Sequence, residues 1–521
     1  MKASPILLEV FKNRLSSIAE EMGVTLQRTS FSPNIKERRD YSCAIFDARG
    51  DLVAQAAHIP VHLGSMPLSV KAALEISMDE GDMVMLNDPF KGGTHLPDIT
   101  LVAPVFIDGR GPYFYVANRA HHADVGGMSA GSMPLSTSIF QEGIIVPPMK
   151  LVEKGKVDDK VLSFILANVR TPQEREGDFS AQIMANITGI RRLQELVNRQ
   201  GLEEVSFYCR ELMAYTERIT RETIRAIPNG TYSFRDFMED DGIEPSPIPI
   251  EVTLTIEDDQ ALLDFSASSP QVRGSINSVY AITLSSVLYA FRCLMEEEVP
   301  VNAGLLKPIK VITAQGTIVD AKFPAAVAGG NVETSQRIVD VVLGALSSAL
   351  PEKIPAASQG TMNNLAMGGF HPHTGQPFAY YETLGGGTGA WSKGPGASAV
   401  HSHMTNTLNT PIEALEYAYP LKVTRYSIRR GSGGRGRHNG GEGLIREIEA
   451  LTEMEVTVLS ERRKIPPYGL MGGEPGAPGK NLILRAKGGV VEMPGKFHDR
   501  LHPGDRIRIE TPGGGGWGKA E

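Results

Sequence analysis

The chain has 521 residues, which is enough for roughly two to four domains. Lys and Arg number 52 and Asp and Glu 60, so the net charge of −8 excludes the strongly basic surface of nucleic-acid-binding proteins and polybasic membrane anchors. The three cysteines include no Cys-x-x-Cys pair, which excludes a disulfide scaffold and a thiolate zinc cluster.

The N-terminal segment predicts an amphipathic helix over residues 4–28, because apolar residues recur there at three- and four-residue steps. Charged residues interrupt this segment throughout, so it resembles neither a signal peptide nor a membrane-spanning helix. Together with the scarcity of cysteine, this pattern leads us to expect a cytoplasmic protein without membrane segments.

Further elements follow in chain order. The predicted strands of the first third lie at 42–46, 83–86, 101–107 and 113–118, with a helix at 68–78. The predicted elements after it are a helical block at 158–227 that includes a helix at 202–226, a hairpin of strands 251–256 and 261–265, and helices at 278–296 and 335–350. From about residue 420 the pattern is one of strands and turns.

This order predicts a multidomain α+β protein with mixed sheets, helical segments and a β-rich C-terminal part. We expect an N-terminal domain at 1–230 with a helical second half, a central α+β domain at 231–420, and a β-rich domain at 421–521.

Glycine is over-represented, with 55 of 521 residues against an average near 7%. The glycines cluster in loops between predicted strands and helices, notably at 385–387, 431–443, 472–473 and 513–516. Glycine permits positive φ and close backbone approach, so we expect these loops to close around one site.

The most informative stretch for chemistry is 87–98, in which His95 and Asp98 precede strand 101–107. The next predicted strand runs into His121, His122 and Asp124. If the two strands form a hairpin, its two open ends lie side by side and bring His95 and Asp98 next to the segment that contains His121, His122 and Asp124. Imidazole and carboxylate in combination suit a divalent metal such as Zn, Mn or Fe. The same pattern also fits a structural interpretation, with Asp98 and His122 satisfying turns and His121 an ordinary strand-end histidine.

Other polar residues have simpler interpretations. Asp40 is flanked by cations and by spacing alone is a salt-bridged surface residue. His58 and His62 lie four apart in an apolar run, which favours packing or substrate contact over metal ligation. His401 and His403 would point to opposite faces of an extended segment, so they are not expected to share a metal.

Nucleotide-binding motifs are missing. The match to Gly-x-Gly-x-x-Gly at 431–436 is followed by His-Asn-Gly-Gly, which does not begin a helix, and no Gly-x-x-x-x-Gly-Lys-Ser/Thr motif occurs. If ATP takes part in the reaction, this sequence offers no recognisable phosphate-binding loop for it.

Taken together, these segments resemble the hydantoinase B/oxoprolinase family, the metal-bearing subunits or domains of ATP-dependent cyclic-amide hydrolases. Acetone and acetophenone carboxylase subunits are more distant relatives. The matching segments lie in order at 92–106, 117–133, 142–148, 175–189, 267–277, 326–346, 358–364, 401–421, 431–447 and 511–518.

The resemblance implies a metal held by an Asp on an early strand, the His and Asp of the His-Leu-Pro-Asp segment, and a His after the second strand. These positions correspond to Asp40, His95, Asp98 and His121. A divalent metal there lowers the pKa of a bound water and polarises a carbonyl. The resemblance leaves His122 or Asp124 to accept the proton.

The resemblance also implies a hetero-oligomer with a hydantoinase A-like subunit that binds ATP and phosphorylates the amide or carbonyl oxygen of a small cyclic amide. The first hypothesis is therefore a hydrolase subunit acting on a hydantoin, 5-oxoproline or a related lactam. The alternatives are a subunit of an ATP-dependent ketone carboxylase and a scaffold that only stabilises the kinase-like partner.

Overall fold

The computed structural model describes residues 3–56, 59–295 and 299–520. These residues form helices and four open sheets, which confirms the α+β architecture with a β-rich C-terminal part. None of the described helices combines the length and apolar character that spanning a membrane requires.

The helices and strands have the following bounds. The helices are α1 (Pro5–Thr29), α2 (Pro33–Lys36), α3 (Ser65–Ala73), α4 (Asp159–Leu166), α5 (Pro172–Gln200), α6 (Leu202–Arg225), α7 (Tyr280–Cys293), α8 (Ser335–Ala349) and α9 (Ile412–Ala418). The strands of the first half are β1 (Tyr41–Asp47), β2 (Leu52–Ala56), β3 (Met83–Leu86), β4 (Asp98–Ile107), β5 (Arg110–His121), β6 (Met149–Glu153), β7 (Lys156–Val157), β8 (Gly230–Met238), β9 (Ile248–Glu257) and β10 (Gln260–Asp264). Those of the second half are β11 (Ile309–Ile312), β12 (Asn364–Phe370), β13 (Pro377–Glu382), β14 (Leu421–Arg429), β15 (Gly443–Ala450), β16 (Met454–Leu459), β17 (Lys480–Leu484), β18 (Val490–Met493), β19 (Lys496–Leu501) and β20 (Arg506–Glu510).

The first sheet is antiparallel, in the order β2-β1-β5-β4-β3-β6-β7, and its two faces carry different partners. Because side chains alternate across a strand, Cys43 and Ile45 pack toward α1 and α5, whereas Ala44 and Phe46 belong to the cluster on the α3 side. A sheet covered on both faces holds the ends of its strands in fixed positions.

The other sheets build the second half of the chain. The second sheet, β11-β10-β9-β8, packs against α8, which lies beside α7. The third sheet, β13-β12-β16-β19, joins strands from either side of residue 420, the proposed boundary of the C-terminal domain. The fourth, β14-β15-β20-β17-β18, contains only residues beyond that boundary.

A buried set of ionised side chains connects the second and third sheets; we call it the charge network. Arg337 donates to Asp236 at 3.2 Å, and Arg462 donates to Asp236 and to Asp340 at 2.6 Å each. Arg337 also pairs with Glu461 at 3.3 Å, and Glu461 accepts a hydrogen bond from Lys496. The members of the charge network are Asp236, Arg337, Asp340, Glu461, Arg462 and Lys496.

The predicted helix at 4–28 and the strands of the first sheet that the sequence indicated are confirmed within a few residues. Strands β12 and β13 were not predicted. In β12 the run Asn-Leu-Ala-Met-Gly-Gly-Phe is rich in residues that disfavour strands, and pairing with β13 and β16 stabilises it instead.

Four of the glycine-rich loops pack on one another, backbone against backbone. A Cβ on Gly514 would lie 1.9 Å from the carbonyl oxygen of Thr388, and one on Gly440 would lie 1.9 Å from that of Gly514. The amide of Gly514 donates to Gly441 at 2.9 Å, and that of Gly434 donates to Gly514 at 2.9 Å. The segment 511–518 thus holds loops from three other parts of the chain, and glycine is required because no side chain fits between them.

Candidate metal centre

The β4–β5 hairpin brings the two predicted groups together through its register. Asp98 lies directly opposite His121 in the antiparallel ladder, so their side chains share one face of the sheet. That face is the one toward α3, because Arg119, two residues before His121, reaches Ser65 and Ser69 of this helix. His122, one residue on, must point to the opposite face.

His95 lies in the loop that enters β4, and glycine sets the path of this loop. Gly92 has φ +87°, and a Cβ there would lie 2.5 Å from the backbone of Leu68 in α3. Asn87 anchors the same loop by donating to the carbonyl of Leu96 at 2.8 Å. The imidazole of His95 is thereby carried onto the face that Asp98 and His121 occupy.

The three side chains form a compact buried cluster. His95 Nε2 and His121 Nδ1 are 3.1 Å apart, and both lie near Asp98 Oδ1, at 3.6 and 3.4 Å. One ligand atom from each residue lies within 4.8 Å of the others, and all three residues are at most 2% exposed. Thr94 Oγ1 donates to Asp98 Oδ2 at 2.5 Å and orients the carboxylate.

His62 is a further member that sequence reasoning assigned to packing or substrate contact. It is fully buried, its Nδ1 lies 2.9 Å from Ser42 Oγ, and its Nε2 lies 3.5 Å from Asp98 Oδ2. Its position on a turn before α3, distant in sequence from β4, gave no signal of this contact. His58, considered with it, lies outside the described residues. We call His62, His95, Asp98 and His121 the histidine cluster.

The electrostatics keep the cluster ready to accept a cation. Burial lowers the pKa of His62 and of His121 below the usual value, so both imidazoles are neutral near neutral pH. Burial raises the pKa of Asp98, but the surrounding imidazoles, His95 foremost, hold it well below its usual range. Neutral imidazoles and an ionised carboxylate are the forms that bind metals.

Asp40 lies immediately before β1, beside the cluster. Its backbone carbonyl accepts a hydrogen bond from the amide of His121 at 3.0 Å. Its negative charge opposes the lowering of the pKa of His121 by burial. The residue is buried rather than the surface residue that its spacing suggested.

His122 and Asp124 face away from the cluster. His122 Nε2 lies 2.9 Å from Gln182 Oε1 of α5, its ring packs on Phe179, and burial lowers its pKa to about 4. Asp124 accepts hydrogen bonds from the backbone amides of Gly126 and Arg170, and it forms an ion pair with the Arg170 side chain at 3.0 Å. Both side chains are therefore engaged in holding α5 and the loop after β5.

Glu142 is a buried residue that sequence reasoning did not single out. It is fully buried, and its Oε1 accepts hydrogen bonds from Ser136 Oγ at 2.7 Å and from the amide of Val327 at 2.8 Å. Its Oε2 has no partner among the described residues. Burial raises the pKa of this carboxyl to about 7, while the hydrogen bonds that it accepts from Ala328, Ser136 and Val327 act in the opposite direction. The one sequence signal that could have pointed to Glu142 is its place in the segment 142–148, Glu-Gly-Ile-Ile-Val-Pro-Pro, which is among those that carry the family resemblance.

An aromatic ring and a loop cover the cluster. Tyr381 stacks on His121 with ring centroids 4.5 Å apart. The segment 401–410 lies over the same region, since Met404 accepts a hydrogen bond from the amide of Val61, beside His62.

The donor set fits a divalent transition metal. Ligand atoms about 2.1 Å from a tetrahedral ion lie roughly 3.4 Å from one another, which matches the separations within the cluster. Two imidazoles and a carboxylate suit Zn, Mn or Fe better than Ca or Mg.

Comparison with known proteins identifies the family and agrees with the fold. The family model described as hydantoinase B/oxoprolinase matches residues 4–520. The chain belongs to this family. It is 42% identical over 528 residues to the 5-oxoprolinase of Dictyostelium discoideum, covering 99% of this chain but 40% of that protein, so it spans less than half of the length of this relative.

Two solved structures share the fold of this family member. The ATP-dependent caprolactamase from Pseudomonas jessenii superposes with a TM-score of 0.92 at 30% identity, covering 100% of this chain and 92% of that one. Acetone carboxylase in its nucleotide-free form gives a TM-score of 0.92 at 20% identity, covering 99% and 76%. The second likeness concerns the fold alone.

Proposed function

We propose that this chain is the metal-bearing part of an ATP-dependent hydrolase that opens a cyclic amide, such as 5-oxoproline or a related lactam. The observation that carries the proposal is the buried histidine cluster, with its carboxylate and neutral imidazoles on one face of the first sheet. The relatives named above, a 5-oxoprolinase and a caprolactamase, support the substrate class.

The proposed ligands are His95, Asp98 and His121, with Asp40 completing the set. A divalent metal bound by them supplies Lewis acidity, which lowers the pKa of a coordinated water and polarises a carbonyl oxygen. The chain itself excludes bulk water through the burial of the cluster. Tyr381 fixes the orientation of the His121 ring by stacking on it.

Proton transfer needs a group near the cluster whose pKa lies near the working pH. We propose Glu142 for this role, since its carboxyl has a free Oε2 and a pKa raised to about 7. His122 and Asp124, for which the family resemblance implies proton transfer, are proposed as positioning residues, because their contacts tie β5 and its following loop to α5 and Arg170.

The ATP-dependent step is assigned to a separate kinase-like part. The chain has no phosphate-binding loop, and it covers 40% of the matched 5-oxoprolinase. We propose that a hydantoinase A-like partner phosphorylates the amide oxygen in a hetero-oligomer and that this chain then completes ring opening. Phosphorylation makes the amide carbon more electron-poor, so a modestly activated water suffices.

Assay of the purified complex with ATP tests the proposal. We expect about one bound transition metal per chain and ATP-dependent opening of 5-oxoproline or another lactam. Asp98→Asn should lose both metal and turnover while the complex still assembles. Unchanged ATP-dependent turnover in an assembled Asp98→Asn complex would reject metal chemistry and favour the scaffold hypothesis.

The role of Glu142 has its own measurement. Glu142→Gln should reduce kcat about 10²-fold or more at neutral pH and flatten its dependence on pH near 7. The metal content should stay the same. A wild-type pH profile in this variant would remove Glu142 from the mechanism.

A further inference from the structure

Two buried arginines near the histidine cluster, Arg119 and Arg38, form no ion pair with a carboxylate of the described residues. Six arginines are among the largest fully buried side chains of the described residues. Four of them form ion pairs with carboxylates: Arg175 with Asp178, Arg337 with Asp236, Arg446 with Glu382 and Arg462 with Asp340. Arg119 instead donates from all three guanidinium nitrogens to hydroxyls of Thr100, Ser65 and Ser69.

Arg38 differs from the four ion-paired arginines and, like Arg119, donates to neutral groups. Its Nη1 donates to the carbonyl of Tyr381 at 3.1 Å and its Nη2 to Thr383 Oγ1 at 2.9 Å, and its Nε has no partner among the described residues. No carboxylate within the described ranges forms an ion pair with it, although its exposure is 0%. Burying a charge without an opposing charge costs several kcal/mol, so an anion from outside the chain is the expected partner.

Arg38 donates two further, longer hydrogen bonds to neutral groups, from Nη1 to Asn34 Oδ1 and from Nη2 to Thr407 Oγ1, each at 3.4 Å. The Nδ2 of the same Asn34 amide has no hydrogen-bond partner among the described residues. Burial lowers the pKa of His401 to about 4 and the charge of Arg38 acts in the same direction, while neither of its ring nitrogens makes a hydrogen bond of normal geometry among the described residues.

This group of donors lies next to the proposed metal ligands. The guanidinium of Arg38 lies over the ring of Tyr381, 4.8 Å from its centroid, and His121 stacks on the same ring at 4.5 Å. The backbone carbonyl of Arg38 accepts a hydrogen bond from the amide of Leu408, so the segment 401–410 covers both places. An anionic group held by Arg38 would therefore be one ring away from the histidine cluster.

We propose that Arg38, Asn34, Thr383, Thr407 and His401 form a subsite for an anionic group of the substrate, either a carboxylate or the phosphoryl group of the activated amide. The planar carboxylate and the tetrahedral phosphoryl group both present negatively charged oxygens, which form strong hydrogen bonds with a positively charged guanidinium. The inference rests on the proposed function, since it places this anion beside the amide that is opened at the cluster.

Binding measurements test the subsite without turnover. L-5-Oxoproline, 2-pyrrolidone (the same ring without the carboxylate) and inorganic phosphate are titrated calorimetrically into the metal-loaded complex. Arg38→Met should weaken binding of the anion about 30-fold, as expected for a charged hydrogen-bonded pair, and Arg38→Lys should weaken it less. Arg337→Lys, a change to a buried arginine that already has carboxylate partners, serves as the control for altered stability.

The two sources of the anion give different patterns. Loss of 5-oxoproline binding with unchanged 2-pyrrolidone binding supports a carboxylate subsite. Loss of phosphate binding, together with lower kcat for both lactams at unchanged ATP consumption, supports a phosphoryl subsite. If all three dissociation constants and both kcat values in Arg38→Met stay within about threefold of wild type, the subsite is rejected.

Two further results keep the outcomes separate. If the wild-type complex hydrolyses no lactam but Arg38→Met still abolishes anion binding, the proposed function fails and the subsite stands. If the wild type hydrolyses lactams and Arg38→Met behaves like it, the function stands and the subsite fails. Should Arg38→Met not fold, as judged by circular dichroism, Arg38→Lys and Thr383→Val are measured in its place, with the same criteria.

Discussion

The histidine cluster and the charge network are both buried and polar, yet their compositions differ. The charge network holds three carboxylates and three cations, and each cation lies within ion-pair distance of a carboxylate. The histidine cluster holds one carboxylate and three imidazoles, of which His62 and His121 have a pKa lowered by burial. Each cation of the network thus has an opposing charge within the chain, whereas the cluster consists of electron-pair donors that face one another. Such a set becomes stable and useful when it receives a cation.

The sharpest test of this contrast removes one ligand from the cluster. His95→Ala should abolish metal binding and reduce turnover by about 10³-fold or more, since in the proposed function a bound metal supplies the main activation of the reaction. The fold should persist, because the sheet is held by other contacts. Metal content by mass spectrometry and turnover by product analysis check both points. His373→Ala, which changes a histidine in an exposed turn, is the control. Normal activity of metal-free His95→Ala protein would show that the histidine cluster does not act through a bound cation.

The opposite experiment breaks the charge network. Arg462→Met should lower the free energy of unfolding by about 3–5 kcal/mol, because it leaves Asp236 and Asp340 buried without one of their cations. Metal bound per folded chain should not change. Denaturant unfolding measures the stability, and metal analysis of the same samples measures the bound metal. The control variant is Arg425→Met, which changes an exposed arginine. Loss of metal without loss of stability would show that the network belongs to the site.

A smaller effect is expected for His62, which contacts Asp98 from outside the proposed ligand set. His62→Gln should weaken metal affinity about 10–100-fold, as is usual when a residue that orients a ligand is changed. Competition with a chelator of known affinity measures this change. His502→Gln, which alters an exposed histidine, is matched to it. Equal affinities in the two variants would limit His62 to packing.

The smallest effect concerns Glu333, a buried neighbour of the charge network whose Oε2 has no partner among the described residues. Burial raises its pKa to about 8, so between pH 4.5 and 8 the unfolded chain releases a proton that the folded chain retains. Stability therefore falls as the pH rises through this window. Glu333→Gln should be more stable than wild type at pH 8.5 and equally stable at pH 4.5. Thermal unfolding of both proteins at pH 4.5 and pH 8.5 measures this difference in stability. A stability difference between the two proteins that does not change with pH would argue against a neutral Glu333.

The sequence predicted those parts of the fold and site that depend on local pattern. The hairpin of β4 and β5 follows from two apolar runs, and period-two alternation then separates His121, on the face of Asp98, from His122. Contacts between distant segments had no such signal. His62 reaches Asp98 from before α3, and Arg38 reaches Tyr381 across more than 300 residues of chain. Asp40 could be proposed only through the family resemblance, because two flanking arginines made it look like a surface residue.

The glycine segment 511–518 has a consequence for the order in which the chain folds. It lies more than 100 residues after Thr388, whose loop it holds. A ribosome releases the chain from its N-terminal side, so the loops at 387–390 and 434–441 remain without their inner support until this late segment has emerged. The hairpin that carries Asp98 and His121 is made hundreds of residues earlier, so these two proposed metal ligands are synthesised well before the loops of the second half can be locked.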